Sequence, residues 1–364
     1  MTYDLIVIGG GPAGCAAAIS AARFGASVLI LERSCFPRHK VCGEFVSPES
    51  VALLQGLLNP SQRDLVGAAP RIGKSRIFID GVILSAEVSP PAVSIARFDL
   101  DLALWTSCGE SGASMREGTV VQQIEGTGPF NVVTADEAWA ARAVINATGR
   151  WSNLTSPAIR THARGERWIG IKGHFDEPEP SPSVDLYFFD GGYCGVQPVS
   201  FPEGIAGRVN ACAMVRAEVA TSIDGVFQCH SALDQRSRKW KPATTPVSTS
   251  PLIFHEPEPV DGTILQVGDA ATFVDPFVGD GISLALQSGV LAAQCLKCVI
   301  EGKPSLTKAM QSYRGAYMRR LAPVFRNSSR LRRMLGLPGL VRKPALSLLQ
   351  RSPALTRQLV RMTR

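Results

Sequence analysis

Hydrophobic positions near the start of the chain fall into two different rhythms. Leu5 to Ile8 is a continuous apolar run with β-branched members, the pattern of a parallel strand buried on both faces. It breaks at Gly9-Gly10-Gly11-Pro12-Ala13-Gly14 and resumes as Cys15-Ala16-Ala17-Ala18-Ile19, small residues that predict a thin helix against a sheet. Ser27 to Leu31 predicts a second strand, closed by Glu32. An apolar run ending at glycine returns twice, at Ala143 to Ala147 before Thr148-Gly149-Arg150 and at Thr263 to Val267 before Gly268-Asp269. Each return predicts re-entry into the first sheet, so the intervening segments hold a second domain.

Alternation is the rule in those segments. Residues 75–95 place apolar runs on both sides of Asp80-Gly81, which predicts a β-hairpin. From Trp168 to Val260, short runs separated by proline and glycine (Ile169 to Phe175, Val184 to Phe189, Tyr193 to Val199, Arg208 to Val215) predict a mostly antiparallel sheet. Helices are expected from Pro48 to Leu58 behind a Ser47 cap, from Arg97 to an end near Gly109 to Gly112, and from Ile282 to Glu301. Strands are expected near Thr119 to Ile124 and Phe130 to Thr134. The resulting α/β organisation has a nucleotide-binding domain at 1–74, 96–165 and 261–301. An inserted, mostly antiparallel substrate domain takes 75–95 and 166–260, and a helical region takes 302–364.

Composition narrows the class. A chain of 364 residues with 45% hydrophobic content has room for about two cored domains. The first apolar run has no basic flank, so no signal peptide is expected, and no segment is expected to supply the roughly 18 apolar residues of a membrane span. Nine scattered cysteines without a secretion signal imply free thiols in a reducing cytoplasm. The five histidines lack metal-ligand spacing, and no metal is expected.

The first turn carries the chemistry. Gly9, Gly11 and Gly14 form G-x-G-x-x-G at a strand-to-helix junction: one glycine for the tight turn, one for approach of backbone to a pyrophosphate, one for helix-to-strand packing. The helix N-terminus beyond them favours phosphate, and Glu32, 18 residues past Gly14, stands where an acid bonds a ribose hydroxyl pair. An ADP moiety is the expected ligand. Just past Glu32 runs the basic loop Arg33 to Glu44, where Cys42-Gly43 has two open readings: a thiol with lowered pKa over a cofactor, or a small buried residue.

Those three separated motifs, in that order, resemble FAD-dependent oxidoreductases of the glutathione-reductase-like fold, in the branch of geranylgeranyl reductases, flavin-dependent halogenases and aromatic hydroxylases. The resemblance spans Met1 to about Glu301 and implies a Rossmann-like FAD-binding domain. It assigns the ADP half of FAD to Gly9, Gly11, Pro12, Ala13, Gly14, Glu32 and Arg33, with Val121. It assigns the pyrophosphate, ribityl and ring to Arg97, Thr148, Gly149, Gly268, Asp269, Pro276, Gly279, Gly281 and Ile282. Lys40-Val41-Cys42-Gly43 resembles the Lys-x-Cys-Gly loop of geranylgeranyl reductases, and Tyr193 to Pro198 resembles their Tyr-Gly-Trp-x-x-Pro stretch. Cys42 and Tyr193 are therefore the candidate catalytic residues.

Departures from the branch also inform. Thr148-Gly149 replaces the Asp-Gly pair that aromatic hydroxylases associate with NAD(P)H, and no second G-x-G-x-x-G exists, so a separate flavin reductase or other electron donor is the expectation. Neither tryptophan of the halogenase Trp-x-Trp-x-Ile-Pro motif is present, and Lys74, a stand-in for the halogenase lysine, sits in the hairpin. The leading expectation is reduction of a C=C bond in a lipophilic small molecule. The alternatives are hydroxylation of an aromatic or polyketide-type compound, halogenation, and non-catalytic prenyl binding on the same fold.

Charge separates the tail from the body. Glu301 is the last acidic residue, and 15 of the 38 Lys and Arg follow it, which leaves 23 basic against 31 acidic residues over positions 1–301. Leu355, Leu359 and Met362 fall opposite Arg357, Arg361 and Arg364, a basic amphipathic pattern. Docking on an anionic membrane surface at its cytoplasmic face, docking on an acidic carrier protein, and packing on the acidic body are the open readings. Nucleic acid is not expected, since no aromatic residue follows Phe325.

Overall fold

The computed structural model describes residues 2–150, 154, 167–199, 207–249, 252–302 and 305–335. The opening run forms the strand Thr2–Ile8, central in a sheet whose main path runs Val260–Asp261, Ile264–Gln266, Ala138–Asn146, Thr2–Ile8, Val28–Leu31, Ser114–Arg116. Its neighbours on both sides are parallel, with Ile6 opposite Leu29 and Val144. Leu5 and Val7 pack beneath the helix Pro12–Arg23, while Ile6 and Ile8 face a second cluster built on Phe130 and Val132. Both faces of this strand are thus covered, which is why its sequence does not alternate.

The helix Gly281–Ile300 packs beside Pro12–Arg23 on the same face. Among its 20 residues an 18-residue window has a mean hydropathy of 1.4, which corrects the expectation that no segment is long and apolar enough to cross a membrane. It is a core helix here, since Leu286, Ala292, Ala293 and Leu296 are wholly buried in the main cluster.

The second sheet runs Lys241–Pro242, Trp168–Asp176, Arg208–Arg216, Gly192–Pro198, Ser183–Phe189, Arg71–Ile79, Val82–Ser94, Phe45–Val46, with Val247–Thr249 also paired to Trp168–Asp176. Asp80 (φ 51°) and Gly81 (φ 78°) make the two-residue turn the hairpin required. One face, carrying Ile171, Phe175, Val196 and Val215, is covered by the helices Ile223–Gln228 and Ser231–Ser237 through Phe227 and Leu233. The opposite face, carrying Tyr193, Gln197, Cys212 and Met214, looks toward the first domain.

Several expectations need correction. Ser183–Phe189 pairs parallel with Arg71–Ile79, because the chain crosses the first domain between them. Arg71 to Lys74, and Phe45–Val46, belong to the second sheet and not to the first domain. Thr119 to Gln122 is not strand: Thr119 N–H donates to the Glu32 carbonyl, tying the segment across the end of the sheet where no ladder is available. Ser47 precedes its helix, Pro48–Leu57, without capping it, since its hydroxyl pairs with Ser283 at 2.5 Å. The two short helices over the second sheet were not foreseen; each is too short for a periodic signal.

The described part of the tail packs on the body. Leu306–Arg320 lies along Gly281–Ile300 and its Tyr313 hydroxyl donates to the Gln266 carbonyl at 2.8 Å. Ala322–Leu335 follows. Leu355, Leu359, Met362 and the arginines among them lie outside the described residues.

Candidate functional site

A cavity of about 1070 Å³ lies between the ends of the first sheet's strands and the inner face of the second sheet. Its first end is made by the glycine turn. Gly9 (φ 110°) takes a left-handed conformation against the Ala147 carbonyl, and a Cβ on Gly14 would fall 1.8 Å from the Gly9 oxygen. A Cβ on Gly11 would meet nothing within 4 Å, so that position opens onto the cavity and leaves room for a phosphate group.

Glu32 is buried beside this turn, where it accepts from Gly10 N–H at 2.6 Å, Ser34 N–H at 2.9 Å and Arg38 Nη1 at 2.5 Å. Burial alone would raise its carboxyl; Arg38 and the two backbone donors prevail and lower it. Arg33, Arg38, Lys40 and Arg97 also line this region. Burial, reinforced by Arg38 and Arg97, pushes Lys40 down to about 8. A pyrophosphate is the charge complement of such a crowd of cations, and Gly11 leaves space for it. The residues present therefore fit the ADP half of FAD.

Farther along, Arg97 Nε and Nη2 make a two-pronged bond to Asp101 at 2.6 and 2.8 Å, which fixes its guanidinium. Asp269 faces the cavity with 39% of its side chain exposed, and the enclosing protein raises its carboxyl against the pull of Arg150 and Arg97. Thr148 is turned back by Asn146 Oδ1, which accepts from its N–H at 3.1 Å and its hydroxyl at 2.6 Å. Pro276, Gly279, Gly281 and Ile282 bring the N-terminus of a 20-residue helix to the lining, where its unpaired N–H groups and dipole favour electron-rich ligand atoms.

All the cofactor residues expected from the sequence line this one cavity except Gly14, which stands behind the turn as a packing residue. Cys42 and Tyr193 line it as well. Cys42 Sγ accepts from Glu44 N–H at 3.3 Å, and its carbonyl accepts from Asn210 Nδ2 at 3.0 Å. The Tyr193 hydroxyl donates to Asp275 Oδ1 at 3.5 Å. Burial, then the Asp275 charge, raises the phenol well above its ordinary value, so it stays protonated.

A buried cluster under the Cys42 loop was missed by sequence reasoning. Glu44, at φ 61°, pairs one carboxylate oxygen with Lys172 Nζ and accepts from His174 Nε2 with the other at 2.7 Å. The Lys172-facing oxygen also accepts from Arg97 N–H at 2.7 Å. Burial opposes ionisation of Glu44, but Lys172 and His174 overcome it and hold the carboxyl at about 2. An ionised Glu44 can only accept, so His174 Nε2 carries the proton in this bond. The alternation of Lys172 and His174 in one strand placed both on the face of the second sheet toward the first domain, but nothing in the sequence linked them to Glu44.

The far half of the cavity is apolar. Leu186, Tyr193, Met214, Leu252 and Phe273 form one buried cluster, joined by Ile77, Val184 and Phe277. Among the described residues, no lining side chain contributed by the second sheet is charged. Lys74 is exposed and is not part of the lining. The tail helix closes this end: Leu331 lines the cavity, and the Arg332 guanidinium lies 3.7 Å over the Phe254 ring with Nε 3.7 Å from Asp275 Oδ2. Burial pushes Asp275 up to about 7 against Arg332, Phe277 N–H and Tyr193.

Known proteins resemble this chain in sequence and share its fold. Residues 4–44, which hold the glycine turn, Glu32 and the basic loop, match the family model for FAD dependent oxidoreductases. The menaquinone reductase of Mycolicibacterium smegmatis is 29% identical over 318 residues, 80% of this chain and 76% of its own. The digeranylgeranylglycerophospholipid reductase of Thermoplasma acidophilum is 28% identical over 342 residues, 86% of this chain and 82% of its own. Among solved structures, a flavin-dependent brominase superposes with a TM-score of 0.79 at 18% identity, over 100% of this chain and 93% of its own.

Proposed function

We propose that this FAD-dependent oxidoreductase reduces carbon–carbon double bonds in the isoprenoid chain of a lipid. The observation that carries the reading is the uncharged apolar wall of the second sheet, continuous with the dinucleotide-binding turn in one cavity. An isoprenoid chain gains from burial against such a wall at about 25 cal/mol per Å² and needs no polar partner. Menaquinone and digeranylgeranylglycerophospholipids, named for the two reductases above, both carry isoprenoid chains, which supports the same class. Reduced FAD would supply a hydride to one alkene carbon. The protein must then deliver a proton to the other, and Tyr193 is the candidate we favour: the residue lines the cavity, its raised phenol stays protonated and its hydroxyl donates to Asp275. Cys42, on the loop after the basic stretch, also lines the cavity and is the other candidate donor. Thr148 in place of an acid supports an electron donor other than free NAD(P)H.

Halogenation is the competing reading, since halogenases share the fold. It needs a lysine in the substrate half, and Lys40, beside Glu32 and Arg38, is the lysine on the described lining. The test is anaerobic incubation of FAD-loaded, dithionite-reduced protein with menaquinone and with a digeranylgeranyl lipid. Products heavier by two hydrogens per bond are expected, formed more slowly by Tyr193→Phe. Saturation of neither lipid, together with bromination of an electron-rich arene under oxygen, would overturn the assignment.

A further inference from the structure

Arg150 is a cation of this cavity whose loose ion pair and ring contact leave one N–H without an acceptor among the described residues. It follows the strand Ala138–Asn146 and lines the cavity, with 15% of its side chain exposed. Its guanidinium carbon lies 4.4 Å over the Phe273 ring, and Nε is 3.7 Å from Asp269 Oδ2, beyond hydrogen-bond distance. Nη1 is buried and has no hydrogen-bond partner among the described residues. A guanidinium N–H held in protein without an acceptor is costly. Burial lowers the Arg150 pKa, opposed by Asp269, Cys212 and Cys42.

Those neighbours fix where the charge stands. Asp269 ends the first domain's last run, Cys42 is on the loop after the basic stretch, and Cys212 and Phe273 belong to the substrate half. The phosphate end has its own cations, Arg33, Arg38, Lys40 and Arg97, and needs nothing from Arg150. We propose that Arg150 receives a negatively charged oxygen at the border between the cofactor and substrate halves. Two sources offer that chemistry: the pyrimidine edge of the cofactor once two electrons have arrived, and an anionic headgroup of the lipid. The inference rests on the cavity being the FAD and lipid site.

The experiment compares wild type, Arg150→Met and Arg150→Lys. Flavin fluorescence gives the affinity for oxidised FAD, spectroelectrochemistry gives the two-electron midpoint potential, and flavin absorbance titrations give the affinities for geranylgeraniol and geranylgeranyl phosphate. Affinity for oxidised FAD is expected to stay within about twofold in all three. If the charge is on the cofactor, Arg150→Met holds the reduced form about tenfold less well relative to the oxidised form, a fall of about 30 mV. If it is on the lipid, the same variant loses about tenfold for the phosphate and nothing for the alcohol. In either case Arg150→Lys restores most of the loss. Arg150→Met equal to wild type in both potential and phosphate-to-alcohol ratio overturns the inference, as does loss of oxidised FAD by that variant alone. Wild-type protein that binds no FAD would instead sink the reading of the cavity.

Discussion

Removing one carboxylate should cost this protein a large share of its stability, because Glu44, Lys172 and His174 are 0%, 2% and 0% exposed. Glu44→Gln keeps the shape and leaves the Lys172 ammonium in a buried site with no counter-charge. Breaking a buried pair from one side costs about 3–5 kcal/mol. The carboxyl itself gives an independent figure: it is held at about 2 against an ordinary 4.5. At 1.36 kcal/mol per unit, that shift amounts to about 3 kcal/mol. Because the folded value is the lower one, the contribution is complete above about pH 4.5 and is lost as pH falls through about 2.

Urea unfolding of wild type and Glu44→Gln at neutral pH and at about pH 3 measures both quantities. The stability gap should be about 3 kcal/mol or more at neutral pH and should narrow in acid. Replacing Lys172 as well, in Glu44→Gln with Lys172→Met, should recover part of the loss, since no buried charge is then left alone. FAD affinity should fall in the single variant, because Glu44 also fixes the Arg97 N–H and the Cys42 loop. A gap below about 1 kcal/mol, or one that does not change with pH, would show that the cluster is not an ionised pair.

Two more predictions separate packing from binding and test the chamber's acid. Gly11→Val should melt near wild type yet lose FAD, because its side chain enters open space where the cofactor lies, whereas Gly14→Ala should be destabilised by its contact with the Gly9 carbonyl. Thermal melts with FAD titrations check both, and normal FAD affinity in Gly11→Val would refute the placement. Asp275 has its folded value raised from 3.8 to about 7, so the fold favours its protonated form and this residue's contribution to stability declines as pH rises between those values. Relative to wild type, Asp275→Asn should therefore gain stability from about pH 4 to about pH 7, by at most about 4 kcal/mol; an unchanged difference across that range contradicts the raised value.

The first domain was legible because its signals are local. Leu5 to Ile8 states burial on both faces by itself, and the glycine spacing states the turn within six residues. The strands of the second sheet were legible for the same reason: Arg208 to Val215 alternates, and the structure gives Arg208–Arg216. What failed was pairing across distance. Nothing near Glu44 announces that its partners lie 128 and 130 positions away, and nothing near Ser183 announces a parallel neighbour at Lys74. Thr119 to Gln122 has the composition of a strand and lacks only an edge to join, a fact of tertiary position.

In the described part of the tail, the charge count does not tell which arginines face outward and which face in. An acid-free segment with 15 basic residues suggests a surface for something external, and Arg326, Arg330 and Arg333 are indeed exposed. Arg332, one residue from Arg333, turns inward to Asp275 and the Phe254 ring, while Leu331 reaches the cavity. The same helix therefore closes the apolar end of the cavity and sets a cation beside Asp275, the partner of the Tyr193 hydroxyl. Part of the tail's positive charge is compensated inside the molecule, by a carboxyl whose burial would otherwise keep it neutral at still higher pH. Through this helix Arg332 reaches Asp275, the partner of the Tyr193 hydroxyl, so on the proton-donor role proposed for Tyr193, Arg332→Met should slow lipid reduction, and an unchanged rate would refute the link.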